Sequence, residues 1–288
     1  MMKLVYNGEF FNVKDTLECG QVFRFIPHEK GYKVFSRDKC CYAYNEGDNA
    51  VIECQDEDKE YFENYFDVYR DYSLIYNSAV KEGVDILKRS ATAGKGIRIL
   101  NQDKTETLFS FIISQNNNIS RIKGIIERLC ESLGEKRVFR GETYYAFPSA
   151  EIMSKKDENF YKEIGLGYRA EYVRRLAVEI DGGYNIEVLS KLSTDELKRE
   201  LVSIYGVGAK VANCVTLFAF GRSKSFPVDT WIEKVYVNDF KGNIKNRDKI
   251  TEYFINRFGE NAGYFQQYLF FYKRLEEKLI KSAKNQLK

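Results

Sequence analysis

Histidine and tryptophan occur once each in the 288 residues, and proline three times. His28 is the sole imidazole, and Cys19, Cys40, Cys41, Cys54, Cys130 and Cys214 form no CxxC pair, so a zinc site has few ligands available. No cysteine cluster near the C-terminus is on hand for an iron–sulfur centre. The six cysteines read instead as reduced thiols packed as small apolar residues. No apolar run reaches membrane-spanning length, and the N-terminal MMKLVYNGEFF has no long apolar signal region. A cytoplasmic protein without membrane contact is the expectation. Internal repeats and low-complexity tracts are also missing.

Net charge is small, +3, but unevenly spread. Residues 1–90 hold 12 Lys/Arg and 17 Asp/Glu, a net of −5, and the remainder holds 33 and 25, a net of +8. The basic excess lies in the later part, as a phosphate-facing domain requires; a solvated surface would produce the same bias.

Up to about Gln55 the chain reads as strands of an antiparallel sheet with one wet face, among them Gln21–Phe25, Tyr32–Phe35 and Cys41–Tyr44. Helical spacing follows at Tyr61, Tyr65, Phe66 and Tyr69 and again around Ile75 to Leu87. Ala91–Gly96 reads as a linker, giving a first domain over 1–95 and a helical one over 96–288. Thr105–Ser114 is apolar on most sides and reads as a buried helix. Gln115-Asn116-Asn117-Asn118 then marks a boundary, since asparagines cap and turn rather than continue helices. Gly165-Leu166-Gly167-Tyr168-Arg169 is a turn entering a helix that Gly182-Gly183 ends. Tyr272–Lys288 reads as a basic helix or tail with a solvated face.

The stretch that organises the rest is Leu201–Lys234. Ser193 followed by Glu196 signals a capped helix, with Leu197, Leu201 and Ile204 at helical spacing. Gly206 and Gly208 allow a tight turn and close approach to a ligand. The helix starting near Ala209 presents unsatisfied N–H groups suited to a phosphate. Lys210 sits in that first turn, against the helix dipole. Read alone, it reaches water or a phosphate; read sharply, its amine has a lowered pKa and acts as a nucleophile. Asp229 follows Lys210 by 19 residues, after Pro227, either as an N-cap or as a carboxylate delivered to the same turn.

Helix, GVGAK turn, helix and PVD together resemble the helix-hairpin-helix DNA glycosylases, and the lysine after the hairpin marks their bifunctional members. LECGQVFRF, FIISQNNNISRIKG, LGLGYRAEYV and AGYFQQYLFF extend the resemblance, in order, to the 8-oxoguanine DNA glycosylases with a fused N-terminal β domain. The resemblance implies an α+β fold. An antiparallel, TATA-binding-protein-like sheet domain precedes two α-helical subdomains, with the hairpin at about 194–220 and the active site between them. It implies a monomer acting on duplex DNA that contains oxidised guanine. Lys210 would attack C1′, expel the flipped-out base, form a Schiff base and lead to β-elimination. Asp229 would stabilise charge developing on the sugar.

Site residues carry over in the same way. The Gly20 carbonyl would accept the N7 hydrogen that distinguishes the oxidised base from guanine. Gln266 would read the pairing edge, and Phe270 and Cys214 would sandwich the base; read alone, Phe270 is ordinary core. Asn116, Tyr168, Arg121 and Arg169 would meet the orphaned cytosine, the arginines reading its acceptor edge. Gly206 and Gly208 would serve the phosphate. No cofactor is required, although the carbonyls of Val202, Ile204 and Val207 would suit a structural Na⁺ or K⁺. Trp231 departs from the pattern, because many animal and fungal members carry a histidine there. Two other functions stay open on the residues alone: a non-catalytic hairpin that only grips DNA, and a glycosylase for alkylated bases that uses the aspartate to activate water.

Overall fold

The computed structural model describes residues 1–286, so the last two residues of the basic stretch Tyr272–Lys288 lie outside the described residues. The chain opens with β1 (Met2–Asn7), α1 (Val13–Glu18), β2 (Phe25–His28), β3 (Gly31–Ser36), β4 (Lys39–Glu46) and β5 (Asn49–Cys54). These strands form one antiparallel sheet in the order β1-β5-β4-β3-β2. Helices α2 (Lys59–Tyr65), α3 (Tyr72–Lys81), α4 (Asp85–Ala93), α5 (Lys104–Ser114) and α6 (Ile119–Leu133) follow. A hairpin, β6 (Lys136–Phe139) with β7 (Glu142–Tyr145), interrupts them before α7 (Ala150–Ser154), α8 (Glu158–Glu163) and α9 (Arg169–Asp181). The chain continues through α10 (Thr194–Ser203), α11 (Ala209–Phe218), α12 (Thr230–Asn238), α13 (Arg247–Phe258) and α14 (Ala262–Gln286). Among the described residues no helix is long and apolar enough to cross a membrane.

The antiparallel sheet followed by helices agrees with the α+β expectation, and four details differ. Gln21–Arg24 is not strand: the Gln21 carbonyl accepts from Gln102 Nε2 at 2.8 Å rather than from a neighbouring strand. A helix, α1, lies inside the region read as all strand, started by the Asn12 side chain accepting from Asp15 N at 2.9 Å. The sheet lacks the expected wet face at β4 and β5. Phe139 of the β6–β7 hairpin joins Cys40, Tyr42, Tyr44 and Val51 in a second buried cluster, and Tyr144 stacks on Phe35 at 5.5 Å. The stretch read as a linker is helical through Ala93, with Ala91 fully buried. There α4 packs against α14, so helices that follow the sheet directly share a core with the C-terminal end of the chain.

Sheet and helices are clamped by charge as well as by apolar burial. The Arg24 guanidinium, 8% exposed, donates to Glu106 Oε2 at 3.2 Å, to the Arg37 carbonyl at 3.2 Å and to the Tyr145 carbonyl at 2.6 Å. Glu106 Oε2 also accepts from Arg37 N at 2.7 Å. Burial pushes the Glu106 carboxyl pKa up, and Arg24 pulls it back down. Removing the arginine leaves a buried carboxylate without its partner. Arg24→Met is therefore expected to lower unfolding free energy by about 3–5 kcal/mol, read from urea unfolding; a loss below about 1 kcal/mol would show that the pair behaves as a surface bridge.

Candidate active site

Two local devices bring a lysine and a carboxylate to one place. α10 starts on a capping box, with Glu196 Oε2 accepting from Ser193 N at 2.9 Å and Glu196 N donating to Ser193 Oγ at 3.4 Å. It stops at Ile204, and the chain turns back through Gly206, whose φ is +84°. A Cβ on Gly206 would stand 2.4 Å from Cγ of Tyr172, so both the conformation and the space demand glycine. α11 then begins behind Gly208 with no side chain capping it. Its first-turn N–H groups, together with the positive end of its dipole, are open to an anion. The Gln115 amide fastens this turn to the end of α5 by donating to the Gly206 carbonyl at 2.9 Å.

Lys210 lies in that first turn and is exposed rather than enclosed by apolar neighbours. Its ammonium sits 5.5 Å from the centre of the Phe111 ring, and Cys214 follows one helical turn on. Burial pushes the Cys214 pKa up, which keeps the thiol neutral. Asp229 caps α12, its Oδ1 accepting from Trp231 N at 2.9 Å and Ile232 N at 3.0 Å. Both capping bonds fall on Oδ1, so the same residue serves as N-cap and still offers Oδ2 to the site. Trp231 is half-buried beside it, with Lys234 5.0 Å from its ring centre.

One cavity collects these groups with residues from both ends of the chain: Gly20, Lys210, Cys214, Asp229, Gln266 and Phe270 all line it. Gln266 is 5% exposed; its Nε2 donates to the Pro227 carbonyl at 3.3 Å, and its Oε1 is buried with no partner. A buried amide oxygen without a donor is costly unless a ligand supplies one. Gly20 has φ +98°, and a Cβ there would come within 3.0 Å of the Phe270 ring. Phe111, Phe218, Pro227 and Gln267 complete the lining. Of these, Gln267 is a lining residue that the motif AGYFQQYLFF did not single out. A roomier cavity of about 170 Å³ between Phe25, Phe35, Lys123 and Tyr144 holds none of the expected site residues.

The residues expected to face the second strand gather around the asparagine run. Asn118 caps α6, accepting from Arg121 N at 2.9 Å. Asn116 is exposed with φ +46°, a conformation asparagine tolerates. Tyr168 and Arg121 are exposed, and Arg121 Nη2 donates to the Gly165 carbonyl at 3.3 Å. Arg169 differs from them. It is 3% exposed, and its guanidinium donates to the carbonyls of Gln115 at 2.7 Å, Asn116 at 2.9 Å and Leu166 at 3.3 Å. In this state it locks the loop, with all three guanidinium nitrogens bonded to backbone carbonyls. At the hairpin, Val202 is exposed while Ile204 and Val207 are buried, and the Ile204 carbonyl accepts from Val207 N at 3.0 Å.

Comparison with known proteins decides the family. Residues 3–108 match the model described as 8-oxoguanine DNA glycosylase, N-terminal domain, and residues 109–260 match the HhH-GPD superfamily of base excision DNA repair proteins. The chain belongs to the 8-oxoguanine DNA glycosylase family. An N-glycosylase/DNA lyase of Saccharomyces cerevisiae is 31% identical over 83% of this chain and 71% of its own. A probable N-glycosylase/DNA lyase of Methanothermobacter thermautotrophicus is 28% identical over 74% and 72%. The crystal structure of the Clostridium acetobutylicum 8-oxoguanine glycosylase/lyase in complex with duplex DNA containing cytosine opposite 8-oxoguanine superposes with a TM-score of 0.89. It is 35% identical, over 96% of this chain and 99% of that one. A 3-methyladenine DNA glycosylase of Archaeoglobus fulgidus shares the fold, with a TM-score of 0.77 at 19% identity.

Within this family frame the hairpin turn stays the most demanding backbone element. Gly206→Ala must relieve both the positive φ and the contact with Tyr172. The expected cost is about 1–3 kcal/mol of stability, measured by thermal unfolding; a variant as stable as the parent would mean that the turn adapts to a side chain.

Proposed function

We propose that this chain removes 8-oxoguanine from duplex DNA and then nicks the strand, with Lys210 as the covalent nucleophile. The observation that carries the reading is the single cavity shared by Lys210, Asp229 and the base-facing residues Gly20, Cys214, Gln266 and Phe270. The base must leave the stack to reach it. Lys210 Nζ, as the free amine, forms a bond to C1′ as the N-glycosidic bond breaks, and the bonding pair departs with the base. Ring opening gives an iminium between Lys210 and the sugar. Loss of a C2′ proton then expels the 3′ phosphate by β-elimination. The Asp229 carboxylate stabilises the positive charge that develops on the sugar.

Discrimination rests on hydrogen-bond polarity. N7 of 8-oxoguanine carries a hydrogen that the Gly20 carbonyl accepts, whereas N7 of guanine presents a lone pair to the same oxygen. The unpaired Gln266 Oε1 accepts from the pairing edge, and Phe270 and Cys214 hold the two faces. On the other strand, Asn116, Arg121 and Tyr168 meet the orphaned cytosine. Arg169 joins them by exchanging its carbonyl partners for the base edge.

Gly206 and Gly208 bring the open N–H groups of α11 to a phosphate. The last carbonyls of α10 and its turn, at Val202, Ile204 and Val207, lie at the negative end of a helix dipole and suit a monovalent cation such as Na⁺ or K⁺. The expected state is a monomer acting on duplex DNA. The cysteines are all unpaired, in keeping with a reducing cytoplasm that holds DNA. A hairpin that merely grips DNA has no use for Lys210 and Asp229, and an alkylated-base glycosylase has no use for the lysine.

Borohydride trapping on duplexes with 8-oxoguanine opposite cytosine tests the chemistry. The wild-type protein is expected to give a covalent protein–DNA band, Lys210→Gln none, and Asp229→Asn a slower base release with duplex binding nearly intact. Base release without any trapped band would rule out the lysine adduct. A large loss of binding in Asp229→Asn would reduce that residue to its capping role. Excision opposite each of the four bases tests the second strand. Arg121→Ala combined with Arg169→Ala should cut the preference for cytosine about tenfold, and an undiminished preference would remove both arginines from that role.

A further inference from the structure

Three successive carbonyls, of Glu18, Cys19 and Gly20, follow the end of α1, and the third residue lines the cavity. The first two are held by side chains of α14. Arg274 Nη1 donates to the Glu18 carbonyl at 3.3 Å, and Gln267 Nε2 donates to the Cys19 carbonyl at 3.1 Å. Among the described residues the third, the Gly20 carbonyl, accepts from no protein donor. Gln267, Phe270 and Arg274 follow one another at helical spacings of three and four, so they share one face of α14. Phe270 thus stands between the two donors. The Arg274 guanidinium lies 5.4 Å from the Phe270 ring centre, and its Nη1 lies 2.8 Å from where a Gly20 Cβ would be. One helical face therefore fixes the spacing between the ring that receives the base and the peptide that tests it.

We infer that Gln267 and Arg274 are positioning residues for lesion discrimination, holding the Cys19–Gly20 peptide so that its free carbonyl meets N7 of a base lying on Phe270. The inference rests on the proposed reading of N7 by Gly20. A hydrogen bond weakens steeply as its angle falls or its length grows, so a carbonyl on a slack segment would lose the contrast between donor and lone pair. The Arg274 side chain also carries a cost consistent with such a task. Burial lowers its pKa, and the carboxylates of Asp229, which lines the cavity, and Glu18 offset this. An apolar side chain could brace Phe270 without that cost, but it could not donate to the Glu18 carbonyl. Gln267 is 2% exposed and likewise gives its amide to this one segment.

The test compares 8-oxoguanine with 7-deaza-8-oxoguanine, in which a C–H replaces the N7 hydrogen donor and the pairing edge is kept. Lys210→Gln protein, which binds without cutting, is titrated by fluorescence anisotropy with each base opposite cytosine, and with a tetrahydrofuran abasic analogue. Lys210→Gln itself should bind the 8-oxoguanine duplex about tenfold tighter than the 7-deaza duplex. Adding Gln267→Met or Arg274→Met should shrink that ratio at least threefold, roughly, with affinity for the abasic analogue kept within about twofold. Arg274→Lys, which still donates, should recover part of the ratio. An unchanged ratio in both Met variants overturns the inference while leaving the Gly20 reading intact. Equal losses on all three duplexes overturn it in favour of a purely structural role. No discrimination by Lys210→Gln itself overturns the Gly20 reading, and the inference with it. Should Gln267→Met fail to fold, Arg274→Met and Arg274→Lys decide the matter.

Discussion

The buried amide of Gln21 is the contact on which the cavity depends. The residue is fully buried, and its Nε2 donates to the Thr16 carbonyl at 2.9 Å and the Arg98 carbonyl at 2.7 Å. Its Oε1 accepts from Leu100 N at 2.8 Å, and its own carbonyl accepts from Gln102 Nε2 at 2.8 Å. Every polar group of this side chain is thus satisfied inside the protein, where an unpaired one would cost about 1–3 kcal/mol. The consequence is geometric. The turn that carries Gly20 is tied to the segment leading into α5, which carries Phe111 into the same cavity. The turn after the sheet's first helix and the start of the helical body therefore line the cavity together.

The opposite wall follows a different logic. A lysine at a helix N-terminus opposes the dipole, and sequences normally avoid it. Here the conflict is local and its compensation is tertiary: the Phe111 ring offers its face to the ammonium. Rules of local consistency fail most often where a site needs them to fail. Asp229 shows the reverse economy. Its capping of α12 is locally ideal, and that same capping aims a carboxylate at the cavity from a fixed backbone position. Two bonds on one oxygen hold the group still without consuming it.

Much of this was legible residue by residue. The capping box at Ser193 and Glu196, the caps at Asn118 and Asp229, the buried α5 and the glycine stop at Gly182 all depend on neighbours within one helical turn, so contiguous sequence contains the whole interaction. The failures share a cause as well. Gln21–Arg24 has the apolar alternation of a strand, but its side chains bond to residues some 80 positions away. The β6–β7 hairpin lies in a helical region and exists because Phe139 and Tyr144 find a face of the sheet to cover. The hold of the Gln115 and Asn116 carbonyls on the Arg169 guanidinium is likewise a contact between residues 54 and 53 positions apart, which no local pattern shows.

What the sequence determined by itself was the chemistry on offer: a hairpin with open N–H groups, a lysine at its mouth, a capping aspartate after it, and motifs whose order resembles one glycosylase family. Tertiary structure alone decided that these meet Gly20 from one end of the chain and Gln266, Gln267, Phe270 and Arg274 from the other. The reason is one of range. Caps and turns are settled by hydrogen bonds over three or four residues, whereas a cavity is settled by which distant surfaces exclude water together. That choice is a property of the packed chain as a whole, and no single stretch contains it.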